Sequence, residues 1–289
     1  MTTALAPARP AAGAGRATFA ALAARETRRF ALNPVFLAAA GLTAYILWSG
    51  QRGTVTDING PNTAAAVLFG GVGMLVAFWL TRSMSASEPV VGVTPVTLPV
   101  RTAALCWVAI VPFFCGVLTL FGFLHPYPVS DAVYGPFSPS ARLAVLVGQI
   151  VVPSLGGPLL GVALGRWVRF PGAAFVLFLV IFGWVELVTI LTLSHQDSAP
   201  IAVLRLFSPF AFFTVQADSG AVTAWRGSPW FFIGWQLALC AIAVLVALLR
   251  GAEGRTRSRI IRALGITGVA AVIMLVLAGT GGFTHAVTA

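Results

Sequence analysis

The chain has 289 residues, of which 58% are hydrophobic and only 9% are charged. A soluble globular domain carries about 25% charged residues, so this composition excludes a water-covered surface and predicts lipid as the main solvent. The net charge of +10 comes entirely from arginines, because the chain contains no lysine. These arginines lie at the edges of apolar runs, which is typical of topology signals and of contact with membrane lipid, and argues against a nucleic-acid partner.

The N-terminal region divides into two parts. Residues 1–16 are rich in Ala, Pro and Gly and lack the apolar run of a signal peptide, which predicts a disordered cytoplasmic tail. Residues 17–33 predict an amphipathic interfacial helix that lies along the inner membrane surface and ends before Pro34. Its charged side chains are Arg25, Glu26, Arg28 and Arg29. The glutamate falls on the apolar face, where it needs a partner.

Apolar runs of about 20 residues predict membrane-spanning helices. Seven runs meet or approach this length, namely 34–50, 64–81, 102–122, 142–165, 172–193, 230–249 and 264–282. The sequence therefore predicts an all-α, polytopic membrane bundle. Residues 34–250 form its six core spans, and residues 251–289 form a basic connector and a seventh span. With a cytoplasmic N-terminus, fourteen of the eighteen arginines lie inside, as the positive-inside rule requires.

Glycines cluster in the second and fourth spans. Gly157, Gly161 and Gly165 make two overlapping GxxxG steps, and Gly70 and Gly71 lie close together in span two. Such surfaces let two helices approach closely. The pattern fits tight packing within the bundle, and it also fits a subunit interface.

Polar residues within the spans are few. Glu186 is the only charged residue well inside a span, and a carboxylate at that depth is costly unless it is protonated, paired or facing water. It either lines a substrate pathway or serves as an internal hydrogen-bond partner. Gln149 and Gln236 lie in other spans and are its candidate neighbours.

Two connecting segments carry further signals. The inner loop 82–101 contains Ser87, Glu88 and Pro89, which read as a helix start, and it fits either docking to a cytosolic partner or an ordinary connection. On the outer side, residues 199–216 are apolar but are interrupted by charge and proline, which predicts an interfacial or re-entrant pair of half-helices. The interrupting positions are Arg205, Ser208 and Pro209.

No catalytic, metal-binding or cofactor-binding motif is evident. The three cysteines fall in apolar runs without metal-ligand spacing, and the three histidines are scattered. A P-loop requires a lysine that this chain lacks. If ATP drives the protein, hydrolysis must occur on another polypeptide, so we do not predict an enzyme.

Three stretches together resemble the exporter-like (type 2) ABC transporter permeases. They are "LAARETRRFALNPVFLAAAGL" at the N-terminus, "SEPVVGVTPVTLPVR" before the third span, and "RLFSPFAFFTVQAD" before the last core span. The chain departs from the family pattern in two ways. The family core has six spans whereas seven are predicted here, and the 82–101 loop is poor in arginine compared with the family.

The resemblance implies a permease half that pairs with a second permease subunit and couples to a cytosolic ABC ATPase. The coupling loop would comprise Ser87, Glu88, Pro89, Pro95, Leu98, Pro99 and Arg101. Substrates of this family are amphiphiles, drugs, peptides or glycolipids, and the location is the cell membrane. Two other functions stay open: a proton-coupled secondary transporter that uses Glu186, and a membrane anchor subunit that transports nothing.

Overall fold

The computed structural model describes most of the chain, namely residues 12–50, 64–86, 97–124, 138–194, 204, 207, 214–216, 221–225, 228–280 and 283–288. These residues are predominantly helical. The α-helices are α1 Ala12–Ala31, α2 Pro34–Gly50, α3 Gly73–Ala86, α4 Leu98–Trp107, α5 Ile110–Leu124, α6 Pro139–Leu146, α7 Val152–Trp167, α8 Ala173–Ser194, α9 Pro229–Leu249 and α10 Gly254–Gly279. Two π-helical segments, Ala66–Val72 and Val147–Val151, lead into α3 and α7.

Within the described residues, five helical stretches are long and apolar enough to cross a membrane. They are Ala66–Ser85, Leu98–Gly122, Leu143–Trp167, Pro229–Leu249 and Gly254–Gly279. The bent pair α1–α2 would make a sixth span if it is counted as one, and α8 contributes a shorter apolar stretch, Ala173–Val188. The predicted helical, multi-pass membrane architecture is thereby confirmed, whereas the count of seven spans stays a prediction.

The chain bends sharply between α1 and α2, by 60°. The side chain of Asn33 accepts a hydrogen bond from the backbone N–H of Val35 at 3.0 Å, and Pro34 occupies the first position of α2. An Asx cap followed by proline is a strong helix start. Phe30 and Phe36 then close the corner from its two sides, with ring centroids 4.8 Å apart.

The third span begins earlier than the sequence predicted. Leu98, Pro99 and Arg101 were placed in the inner loop, but they form the first turn of α4, which starts after Thr97 in extended conformation. Proline is tolerated in a first helical turn because the N–H that it lacks has no intrahelical partner there. The span is then interrupted between α4 and α5, where Pro112 cannot donate to the carbonyl of Val108.

The last helix is also longer than predicted. The sequence analysis placed a connector before a span at 264–282, whereas α10 already begins at Gly254 and includes most of the basic residues. A tight turn separates it from α9, and Gly254 adopts a φ of +51°, which glycine reaches without steric cost. The arginines of this region therefore lie on the first turns of a continuous helix.

The structure also contains a small antiparallel sheet. Its strands are β1 Thr214–Gln216, β2 Ala221–Trp225 and β3 Phe283–Thr288, in the order β1-β2-β3. The sequence did not predict this sheet, and it placed residues 214–216 in a half-helix. β-Branched Thr214 and Val215 favour the strand. Because β3 pairs with β2, the end of the chain lies beside the connection between α8 and α9.

Candidate functional site

A cavity of about 400 Å³ lies among four helical walls. One wall is the first π-helical segment with the start of α3 (residues 66–74), and the second is α7 (residues 152–163). The others are α8 (residues 178–186) and α9 (residues 236–246). All four walls come from strongly apolar helices, so the cavity lies within the membrane-embedded part of the bundle.

Glycines allow the first two walls to pack closely against each other. A Cβ on Gly157 would overlap the backbone oxygen of Gly70, and one on Gly161 would overlap that of Met74. Further along, a Cβ on Gly165 would come within 2.7 Å of the Thr81 Cβ. The GxxxG surface is therefore used within the bundle, as the first of its two interpretations predicted. We call this α3–α7 contact the glycine seam.

Helical irregularities lie beside this seam. Pro153 cannot donate a hydrogen bond to the carbonyl of Gln149, and the π-helical segment Val147–Val151 occupies this position. The other π-helical segment contains Gly70 and Gly71. π-Helical turns are uncommon and occur frequently at functional sites.

Helix α8 forms the most loosely held wall. Its Phe178 ring lies over Gly71, where any Cβ would collide with the ring, and Phe178 stacks on Phe182 with centroids 6.0 Å apart. Val185 is buried on the inner side, whereas Leu179 and much of the opposite face are exposed. The helix thus touches the bundle along one stripe and leaves its other side for lipid or another chain.

Glu186 faces the cavity from α8. It is half-buried and follows Phe182 by one helical turn, so Phe178, Phe182 and Glu186 share one face of the helix. Gln236 lines the cavity from α9, with 4% of its surface exposed. The structure brings these two predicted polar residues to one space.

The third predicted polar residue lies elsewhere. Gln149 is buried in the second π-helical segment, and it does not line the cavity in the described part of the chain. Its neighbour Gly148 approaches Gln236 instead, because a Cβ on Gly148 would lie 3.3 Å from the Gln236 Oε1.

The arginine-rich ends of α3, α7 and α9 are tied together by side chains. Arg82 donates to the backbone oxygen of Arg169. Arg166 is 3% exposed and its Nη1 lies 3.4 Å from the Ser85 Oγ. Trp167 donates to the Val246 carbonyl at 2.8 Å, and the guanidinium of Arg250 lies 5.9 Å from its ring centroid. The sequence interpreted these arginines only as topology signals and missed their packing.

The predicted interfacial helix has a charged and an apolar face in α1. Arg25, Arg28 and Arg29 are exposed, whereas Ala23 and Phe30 are buried. Glu26 has a partner, because its carboxylate pairs with the Arg29 Nη1 at 3.0 Å. The apolar face packs on α4, and Phe19 meets Trp107 edge-on with centroids 6.4 Å apart.

Several predicted residues lie outside the described parts of the chain. In the coupling loop they are Ser87, Glu88, Pro89 and Pro95, and in the outer segment they are Arg205, Ser208 and Pro209. Within the described residues, no group of three His, Cys, Asp or Glu side chains could hold a metal ion.

The sequence also left cavity residues unnoticed. Phe178, Gly156 and Cys240 line the space, but aromatic, small and apolar residues in a span are ordinary in sequence. The pair Gly156–Gly157, flanked by Pro153 and Pro158, was the available signal of an unusual wall. Comparisons with known proteins add no assignment: no family model, no curated protein and no solved structure matches this chain.

Proposed function

We propose that this chain is the membrane-spanning permease subunit of an ATP-driven exporter, and that the cavity is part of its substrate pathway. The cavity carries the proposal. A space of about 400 Å³ is within the size range of small-molecule sites, and it combines an apolar lining with a few polar groups, as such sites do.

The need for a separate ATPase follows from the chain's composition. The chain has no lysine and therefore no P-loop, so the energy of ATP must come from a cytosolic ATPase subunit. The loop between α3 and α4 is the proposed contact with it. Met74 at the start of α3 lines the cavity, and the same helix runs to Ala86 at the loop, so movement at the loop is transmitted along one helix.

The proposed topology has a cytoplasmic N-terminus in the cell membrane and seven spans. The pairing of β3 with β2 supports it, because the end of the chain then lies on the same side as the connection between α8 and α9. Helix α9 leaves that side, and α10 must return to it. A second permease subunit completes the proposed assembly, with the outer face of α8 open to lipid or to that subunit.

One alternative has an observation in its favour. Glu186 lines the cavity, as the carrier site of a proton-coupled secondary transporter would. The two mechanisms differ in their energy source: an ATPase subunit bound to the chain supports the first, and transport driven by a proton gradient in the purified chain alone supports the second.

The deciding experiment is purification of the tagged chain from its native membrane in mild detergent, followed by measurement of bound ATPase activity. We expect a co-purifying protein with ATPase activity. Scrambling residues 87–96 should remove it, whereas scrambling residues 281–289 should not. Absence of ATPase activity from the intact complex, or activity that survives the scrambled loop, would contradict the proposal.

The seventh span has its own test. In a chain whose native cysteines are replaced by alanine, the pair Val222→Cys and Val287→Cys should form a disulfide on mild oxidation, because these residues face each other across the sheet. The pair Val222→Cys and Ala286→Cys is the matched control, since neighbouring residues of a strand point to opposite faces. Absence of the Val222–Val287 disulfide would contradict the topology, whereas equal cross-linking of the two pairs would contradict only the strand register.

A further inference from the structure

The cavity has an apolar body and a single charged group. Among its lining residues, all are apolar or small except Glu186 and Gln236. A molecule that fills it must therefore be largely hydrophobic, because a polar surface placed against these walls would lose its hydrogen bonds to water. The volume accommodates one molecule of about drug size.

The sign of the charge is set by Glu186. Among the described lining residues it is the only charged side chain, and it forms no ion pair within that part of the chain. The nearest basic position along the α7 wall, Arg166, lies with Ser85 of α3 at the arginine-rich end. An anionic ligand would meet an unbalanced carboxylate, whereas a cationic ligand would neutralise it in a medium where charge interactions are strong.

The aromatic rings of α8 add to the same preference. Phe178 and Phe182 are stacked, and they lie two turns and one turn, respectively, from Glu186 on the same helix face. Aromatic faces attract cations, and this attraction is strongest where water is excluded. A carboxylate beside two rings, in an apolar cavity, combines the features that recognise an organic cation.

We infer that the cavity binds a hydrophobic organic cation, such as a lipophilic amine or a quaternary onium ion, with its positive charge at Glu186 and its apolar body between α7, α8 and α9. This inference rests on the proposed function, since it names the substrate class of the same cavity. Entry from the bilayer suits such a molecule, because the cavity is lined by apolar helices of the membrane-embedded part of the bundle.

The test uses two probes of matched shape and opposite charge. Binding of tetraphenylphosphonium and of tetraphenylborate is measured by equilibrium dialysis against the purified chain in phosphatidylcholine nanodiscs, with empty nanodiscs subtracted. We expect the cation to bind at least tenfold more tightly than the anion. Glu186→Gln should reduce cation binding about tenfold or more, whereas Glu186→Asp should retain the preference for the cation.

Glu26→Gln is the matched control, because it removes a carboxylate on α1 that is already paired with Arg29. It should leave both affinities unchanged. Equal binding of the two ions, absence of cation binding, or an unchanged cation affinity in a monodisperse Glu186→Gln protein would overturn the inference. No ATPase takes part in this measurement, so its failure is distinct from failure of the ATPase purification.

Discussion

Helix α7 has two very different neighbours. Against α3 it packs backbone to backbone, and Gly157 and Gly161 leave no room for a methyl group. Against α8 it borders an open space, and the Phe178 ring of α8 lies over Gly71, while Ala174, Val185 and Val188 of the same helix are also buried. The glycine seam should stay closed, whereas the contact between α8 and the bundle can open, because a flexible side chain moves more readily than backbone.

This difference assigns separate roles to the two sides. The glycine seam holds α3 and α7 as one unit, and that unit extends to the loop proposed to meet the ATPase. Helix α8 carries Glu186 and stands opposite, so a change of its distance from the seam would open or close the cavity. In the proposed exporter, coupling of ATP to transport would then require only that the two states differ in their contacts with the ligand and with the proposed ATPase.

The largest expected effect comes from adding a methyl group to the seam. Gly157→Ala places a Cβ on the Gly70 backbone. We expect the free energy of unfolding to fall by at least about 3 kcal/mol, which is at the upper end of the cost of overpacking. We also expect little of this variant to be monodisperse. Thermal unfolding in detergent, with size-exclusion chromatography, measures it. Gly183→Ala is the control, because nothing lies within 4 Å of its Cβ. Equal behaviour of the two variants would show that the seam is not tightly closed.

A smaller effect is expected from loosening α8. Phe178→Ala removes the ring that lies over Gly71. We expect the free energy of unfolding to fall by about 1–2 kcal/mol, because lipid replaces part of the lost packing. Phe175→Ala on the exposed side of α8 is the control and should change unfolding little. If both substitutions cost the same, Phe178 does not hold α8 to the bundle.

The smallest effect on unfolding is expected for Gly156→Ala, one residue from the Gly157→Ala substitution that should have the largest. Gly156 faces the cavity side, where an added Cβ would meet only the Cys240 Sγ at 3.0 Å. Gly156→Ala should therefore cost less than about 1 kcal/mol in the same unfolding experiment, because a side-chain sulfur next to a cavity can move. A loss as large as that of Gly157→Ala would remove the distinction between the two sides of α7.

The sequence was sufficient for features that depend on composition and short-range rules. The low charge predicted a membrane bundle, and the Asn33–Pro34 step correctly marked the bend between α1 and α2. The GxxxG steps indicated close packing, but which helix they meet depends on tertiary structure. Gly156 and Gly157 both line the cavity, and only the fold shows that Gly157 also lies against the Gly70 backbone whereas Gly156 lies near the Cys240 side chain.

The predictions that failed have local causes. Leu98, Pro99 and Arg101 were placed in the inner loop, but a first helical turn tolerates proline, so α4 begins at Leu98. The basic residues after Arg250 were interpreted as a connector because charge suggests water, although the first turns of a spanning helix also lie in water. Three separate apolar runs could not show which of their polar residues share a cavity. The fold brings Glu186 and Gln236 to the same cavity and leaves Gln149 outside it.

The space between α8 and the glycine seam is proposed to be a binding site, and this can be tested most directly by filling that space with a larger side chain. Tetraphenylphosphonium binding to nanodiscs is compared between the unaltered chain and Ala243→Phe, which projects a ring into the cavity, with lipid-exposed Val272→Phe as the matched control. We expect at least a tenfold loss of affinity for Ala243→Phe and none for Val272→Phe. Unchanged binding by a folded Ala243→Phe protein would contradict it.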